Sequence, residues 1–111
     1  MNVTFISPMY NAAEHLPDLI SSLKEQSLKN WRHIIIDDIS SDNSYEVAKK
    51  LTEDDERFEV RKNTVKKYAL KNVVEVAREF QDDPENIIAV LDADDALCNE
   101  NTVKILLNEY K

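Results

Sequence analysis

Four short apolar segments alternate with four amphipathic segments along this chain, and the alternation limits the possible folds more than any other feature. The apolar segments have the length of β-strands, and they lie at residues 3–7, 32–37, 57–62 and 86–92. The segments between and after them carry apolar residues at helical spacing, and they lie at residues 15–27, 41–51, 66–81 and 100–110. This order predicts an α/β fold with an open, mostly parallel sheet and helices on both faces. A length of 111 residues suits one such domain, residues 1–111.

The apolar segments also predict their own places in the sheet. Residues 32–37 ("RHIIID") form a near-continuous apolar run, which is typical of a strand buried on both faces. Residues 86–92 show the same pattern, so we expect a second buried strand there. Residues 57–62 alternate between apolar and polar types, which favours a strand nearer the sheet edge.

Polar and acidic residues collect where three of the predicted strands end. The first strand ends in "SPMYN", the second in "DDISSDNS" and the fourth in "DADD". The carboxyl ends of parallel strands lie along one edge of an open sheet, where ligands of such folds bind near the switch in strand order. The sequence therefore predicts one binding site at this edge.

The last of these strand ends carries three aspartates, Asp92, Asp94 and Asp95. Side chains alternate along an extended chain, so Asp92 and Asp94 can point the same way. Two converging carboxylates offer the hard oxygen ligands that Mg²⁺ and Mn²⁺ prefer. The alternative is that Asp94 or Asp95 caps the following helix, as Asp42 or Asn43 can cap the helix after the second strand.

Composition excludes several classes of function. The chain contains no glycine, which removes the glycine-rich phosphate loops of P-loop and dinucleotide-binding proteins. A net charge of −8 disfavours binding to nucleic acid or to an anionic membrane. No apolar run is long enough to cross a bilayer, and no signal peptide is visible. The single cysteine, Cys98, is expected to pack in a protein of a reducing compartment, so we expect a cytoplasmic location, or a peripheral one at the membrane face.

Three segments together resemble one family. The segments "FISPMYN", "IIIDDISSDNS" and "AVLDADDAL" are similar, in order and spacing, to the motifs of family 2 glycosyltransferases. The resemblance covers nearly the whole chain. It implies a GT-A fold and the transfer, with inversion, of a sugar from a nucleotide-diphosphate sugar to an acceptor hydroxyl. A UDP-sugar is the first candidate donor, while the sugar, the acceptor and the linkage are left open.

The resemblance assigns roles to five residues on the nucleotide side. Pro8, Tyr10 and Asn11 would lie along the nucleotide, with Tyr10 near the base. Asp38 would bind the edge of the nucleobase, and Asp37 would support the loop that carries it.

On the phosphate side, the resemblance implies that Asp92 approaches the ribose or the metal and that Asp94 ligates the Mn²⁺ or Mg²⁺ that bridges the two phosphates. Asp95 would assist there. Lys67 or its neighbour Lys66 would supply a basic residue facing the donor, although a solvated helix start is the preferred interpretation for both.

The chain departs from the family pattern at several places. Ile39 replaces the glycine of the family's "DDGS", so we expect the backbone there to avoid the conformations that glycine favours. A glycine-rich segment is missing, and Asn72 is aligned with its asparagine. The family's acceptor site and catalytic base lie downstream of the D-x-D motif, so the resemblance implies that this chain is the N-terminal, donor-binding part of a longer protein.

Two other interpretations compete with an active transferase. One is a non-catalytic module that binds nucleotide or divalent metal. The other is a receiver-type signalling domain, which the residues ending the first and third strands disfavour. His33 and Tyr68 are interpreted as packing residues.

Overall fold

The computed structural model describes residues 2–93, 95, 97 and 99–109. Strands and helices alternate in the predicted order. Their bounds are β1 (Asn2–Met9), α1 (Leu16–Lys24), β2 (Trp31–Asp37), α2 (Ser44–Thr52), β3 (Phe58–Lys62), α3 (Tyr68–Arg78), β4 (Asn86–Val90) and α4 (Thr102–Glu109), with a short 3-10 helix at Ala13–His15.

The four strands form one parallel sheet in the order β3-β2-β1-β4. The chain builds outward from β1 to β3 and then returns to add β4 on the other side of β1, so the strand order switches between β1 and β4. The prediction of an open parallel sheet is confirmed. Its carboxyl edge at this switch is where open α/β sheets bind ligands.

Helices cover both faces of the sheet, as predicted. Odd-numbered residues of β1 and β2 pack against α1, α2 and α4 in the larger core, whereas Ile6, Ile34 and Ile36 pack against Val76 of α3 on the opposite face. Helix α1 forms because its apolar residues recur at helical spacing and Pro17 lies in its first turn. Its buried apolar residues are Leu16, Leu19, Ile20 and Leu23.

The expectation for the last strand was wrong. Strand β4 lies at the sheet edge, its residues are only half-buried, and Val90 is 55% exposed. An apolar run indicates that a strand can be buried on both faces, but it does not report how many neighbouring strands cover it. By contrast, β2 is central and almost fully buried, and β3 is the other edge, as predicted.

Candidate functional site

The carboxyl ends of β1 and β2 and the first turn of α3 enclose a cavity of about 520 Å³. It lies at the edge of the sheet where the sequence predicts a site. Pro8 lines it, and its polar and aromatic lining comes from Tyr10, Asp38, Lys66, Tyr68 and Asn72. The fold therefore brings together three of the predicted nucleotide-side residues.

Asp38 is buried beside this cavity, and its side chain is 5% exposed. Its carboxylate accepts hydrogen bonds from the backbone N–H groups of Lys67 at 2.8 Å and Tyr68 at 2.7 Å, and from Asn63 Nδ2 at 3.0 Å. The ammonium of Lys66 lies 3.5 Å from Asp38 Oδ2. Asp38 thus caps helix α3 from another part of the chain and satisfies N–H groups that a helix start leaves without partners.

These contacts keep Asp38 ionised. Burial acts to raise its pKa, but the hydrogen bonds from Lys67, Asn63 and Tyr68 and the charge of Lys66 outweigh burial and hold the pKa below its ordinary value. The cavity therefore contains a fixed negative charge whose direction is set by the start of α3.

Asp37 and Asn11 hold the loop that follows β2. Ser40 Oγ donates to Asp37 Oδ1 at 2.5 Å, and the backbone N–H of Asn11 donates to Ser40 Oγ at 3.0 Å. Asn11 Oδ1 in turn accepts from the N–H groups of Ser41 at 2.8 Å and Asp42 at 3.2 Å. The side-chain oxygens of both residues are therefore engaged with the loop.

The expectation for Ile39 was wrong, because its φ is 62°, in the left-handed region that favours glycine. Ile39 adopts this conformation although it is β-branched, and the residue is 42% exposed. Asn11 and Tyr68 also have positive φ, at 50° and 66°. Within residues 2–93, 95, 97 and 99–109 these three are the only such positions, and all lie around the carboxyl edge of β1 and β2.

Of the two lysines considered for the donor cavity, Lys67 directs its side chain away from it. Lys67 Nζ lies 2.8 Å from Glu75 Oε2 and lines a separate cavity, because α3 begins here and directs successive side chains to different sides. Lys66 lines the main cavity instead. Its Nζ lies 3.4 Å from the centroid of the Tyr10 ring.

Two residues of α3 that sequence reasoning undervalued also line the main cavity. Tyr68 was expected to pack, yet its side chain is 70% exposed. Asn72 is 2% exposed, its Oδ1 accepts from Asn63 Nδ2 at 2.8 Å, and its Nδ2 has no partner in the part of the chain that the structure describes. The sequence signal for Asn72 is its alignment with the family's asparagine, and that for Tyr68 is its position directly after the lysine pair.

Asp92 lines a second cavity, of about 370 Å³, together with Pro8, Tyr10, Asn11 and His15. Pro8 and Tyr10 belong to both cavities, so the end of β1 lies between them. Asp92 and Asp95 are exposed, and the N–H of Asp95 donates to the carbonyl of Asp92 at 3.0 Å.

The predicted metal ligands are only partly described. Asp94 and the packing residue Cys98 lie outside the described residues. No three His, Cys, Asp or Glu residues among the described ones are grouped to hold a metal ion, and no described donor contacts the Asp92 carboxylate. An exposed carboxylate without partners is a suitable oxygen ligand for Mg²⁺ or Mn²⁺.

The alternative that an aspartate caps the following helix agrees with the structure after β2 but does not hold for Asp95 after β4. Asp42 Oδ1 accepts from the N–H of Ser44 at 3.0 Å at the start of α2, which agrees with capping. Helix α4 begins only at Thr102, and Thr102 Oγ1 donates to the carbonyl of Asn99 at 2.8 Å, so Asp95 is too far along the chain to cap it.

None of the helices in the described ranges is long and apolar enough to cross a membrane.

Known proteins match this chain in sequence and in fold. The "Putative teichuronic acid biosynthesis glycosyltransferase TuaG" of Bacillus subtilis (strain 168) is 36% identical over 58 residues, which are 52% of this chain and 23% of that protein. The crystal structure of S. aureus TarS 1–349 in complex with UDP superposes with a TM-score of 0.78 at 20% identity, over 97% of this chain and 31% of that one. Mannosyltransferase PcManGT from Pyrobaculum calidifontis, in complex with GDP-Man and Mn²⁺, gives 0.76 at 18% identity, over 89% and 29%.

The chain thus spans about a quarter to a third of the length of these proteins. The structural matches show that it has the GT-A fold. The family model described as Glycosyl transferase family 2 matches residues 4–111. Because that match covers all but the first three residues, the chain belongs to glycosyl transferase family 2.

Proposed function

We propose that this chain is the donor-binding part of an enzyme that transfers a sugar from a nucleotide-diphosphate sugar to an acceptor hydroxyl. The observation that carries the proposal is the pair of cavities that share Pro8 and Tyr10 at the carboxyl edge of the sheet. One contains a buried carboxylate, a lysine and two tyrosines, which suit a nucleobase. The other contains Asp92, which suits the metal-bound diphosphate end of the same ligand.

The main cavity suits a base with one N–H between two carbonyls, and uracil is the first candidate. A carboxylate has about four lone-pair sites, and three of those on Asp38 are taken by Lys67, Tyr68 and Asn63. One site is left for Lys66 or for an N–H group of a ligand. Uracil presents a single N–H between two carbonyl oxygens, so its N–H fits Asp38 and one carbonyl fits the Lys66 ammonium. Guanine presents two adjacent donor groups and would need a second acceptor.

The second cavity is proposed to bind the diphosphate. Asp92, with Asp94 and Asp95, would hold Mn²⁺ or Mg²⁺, which takes the place of the missing glycine loop. A bound cation would neutralise the charge that grows on the departing diphosphate. In PcManGT, GDP-Man and Mn²⁺ are present together. The inverting displacement would use a base that is not among the residues of this site, and the cytoplasmic location expected from the sequence is part of the same proposal.

A ligand panel tests this function directly. The full-length protein is melted with UDP-, GDP- and dTDP-sugars, each with Mn²⁺ and with a chelator. We expect UDP-sugars to raise Tm most, by a stabilisation of about 2.7 kcal/mol at one hundred times Kd, and only when the cation is present. Stabilisation by none of the sugar nucleotides would contradict the proposal, and equal stabilisation in chelator would remove the metal from it.

The competing function is a binding module without catalysis. Incubation of the full-length protein with the preferred sugar nucleotide, Mn²⁺ and candidate hydroxyl acceptors separates the two functions. Tight binding without formation of a glycosylated product would favour the module.

A further inference from the structure

We propose that Tyr68 is a second nucleobase-binding residue, and that the base enters a slot between the rings of Tyr68 and Tyr10. The inference rests on the proposed function, since it concerns the donor's base, but it assigns a residue that the family motifs do not mark.

Both rings are exposed to solvent beside the same cavity. Tyr10 is 54% exposed and Tyr68 is 70% exposed, although large aromatic side chains gain most from burial. Both residues line the main cavity. An exposed aromatic pair at the mouth of a cavity is available to a planar ligand.

The ammonium of Lys66 lies close to both tyrosine rings. Lys66 Nζ lies 3.4 Å from the centroid of the Tyr10 ring and 5.3 Å from the centroid of the Tyr68 ring. The two centroids are therefore no farther apart than these distances combined. A planar base that contacts one ring on each side needs about 7 Å between them, which this limit allows.

The backbone of Tyr68 points to the same role. Its φ of 66° is unfavourable for a residue with a bulky side chain. The N–H of Tyr68 donates to Asp38 Oδ2 at 2.7 Å, which helps to hold this conformation. Because the ring is mostly exposed, its burial in the core does not offset the strain. An outlier of this kind beside a cavity is typical of a residue kept for ligand binding.

On binding, the base would replace the ammonium of Lys66. The base would displace the ammonium from beside the two rings, and its N–H would take the position of Lys66 at the Asp38 carboxylate. Lys66 Nζ is also 3.2 Å from the carbonyl oxygen of Asp38, a contact that is compatible with a small movement out of the slot. Stacking accepts any aromatic base, so Asp38 selects the base while the two tyrosines add affinity.

The test compares an aromatic base with a saturated one. Affinities for UDP and for 5,6-dihydro-UDP, which keeps the N–H and both carbonyls but loses the planar aromatic ring, are measured by calorimetry with Mn²⁺ on the full-length protein. We expect Tyr68→Ala to weaken UDP about tenfold and dihydro-UDP less than twofold. Tyr68→Phe is expected to bind UDP as the wild type does, and Tyr68→Leu to weaken it.

Tyr45 supplies the matched control. It lies on α2 away from the cavity, and Lys62 Nζ lies 4.9 Å from its ring centroid, so it has the same lysine–tyrosine pairing. Tyr45→Ala is expected to leave the affinity for UDP unchanged. Melting curves identify a variant that does not fold, in which case the comparison of Tyr68→Phe with Tyr68→Leu decides.

Wild-type affinity for UDP in folded Tyr68→Ala and Tyr68→Leu would overturn the inference and leave the proposed function standing. An equal loss for UDP and dihydro-UDP would overturn it as well, because the ring would then act without stacking. Failure of the wild type to bind any sugar nucleotide would instead overturn the proposed function.

Discussion

The ends of β2 and β4 carry the same sequence pattern, adjacent aspartates after an apolar run, but in opposite physical states. Asp37 and Asp38 are 2% and 3% exposed, and both accept hydrogen bonds from nearby loops. Asp92 and Asp95 are exposed, and no donor in the described part of the chain reaches their carboxylates. The first pair is held by hydrogen bonds from the protein, whereas no described donor engages the second, which a bound cation could neutralise. Acidic strand ends can therefore serve either the architecture or a ligand, and the surrounding donors decide which.

The largest expected effect comes from the end of β4. Asp92→Ala and Asp94→Ala are each expected to lower kcat by about 100- to 1000-fold, because under the proposed function each would help to hold the cation at the donor diphosphate. For the exposed Asp92, the free energy of unfolding should change by less than about 0.5 kcal/mol, as for other surface substitutions. Steady-state kinetics and urea denaturation of the full-length enzyme check both parts.

The control is Asp82→Ala, which removes an exposed aspartate from a loop outside both cavities. It should change neither quantity. Wild-type turnover in Asp94→Ala would contradict the proposed role of the β4 end in binding the cation.

At the end of β2, by contrast, we expect a substitution to lower the stability of the fold. Asp38→Ala is expected to lower the free energy of unfolding by about 2–4 kcal/mol, because it leaves the start of α3 and Asn63 without an acceptor and removes the partner of Lys66. Urea denaturation measured beside Asp92→Ala checks the difference. If the two variants were equally stable, the distinction between the two strand ends would be lost.

The dependence of stability on pH tests a core residue separately from the two strand ends. His33 is fully buried, with its Nε2 2.7 Å from Ser7 Oγ, and desolvation lowers its pKa from 6.5 to about 3. The unfolded chain therefore binds a proton that the folded chain does not, and stability falls as the pH drops below 6.5. The loss should reach about 2 kcal/mol at pH 5. Since the pKa of Asp38 is lowered, its contribution is lost only at still lower pH.

His33→Phe is the variant that isolates this effect. Its free energy of unfolding, measured by urea denaturation from pH 7 to pH 5, should vary less than that of the wild type. A wild type whose stability is flat over this range would show that His33 becomes protonated without unfolding.

The smallest effect is expected at the loop between Asp38 and Ser40. Ile39→Gly should raise the free energy of unfolding by about 0.5–1 kcal/mol, because the strain of the left-handed conformation exceeds the extra entropy of glycine in the unfolded chain. Ile39→Ala keeps most of the strain and should not stabilise. The measurement is the change in Tm, and a lower Tm for Ile39→Gly would mean that contacts of the Ile39 side chain outweigh the strain.

The sequence predicts the fold better than the details of the site. Apolar periodicity is sufficient for the β-α order, because burial of each segment depends on its own residues. It was insufficient for β4, whose exposure depends on which strands lie beside it. The distinction between Lys66 and Lys67 depends on the residue at which α3 begins, and sequence patterns fix such bounds poorly.

Long-range contacts explain the remaining gaps. The capping of α3 by Asp38 joins residues about thirty positions apart, so no local motif signals it. Tyr68 lies at this capped helix start with a positive φ and is mostly exposed, and no local motif signals that combination. The convergence of "SPMYN" and the β2 acids was predictable, because strand ends of a parallel sheet meet at one edge.

The position of Pro8 and Tyr10 in both cavities has a consequence for inhibitor design. Two small molecules, one on each side of the β1 end, would be separated by only a single ridge of protein. A short linker across that ridge would make the second binding event intramolecular, at an effective concentration in the millimolar range. Weak fragments found separately for each cavity could thus be joined into a tight, donor-like compound without any new contact.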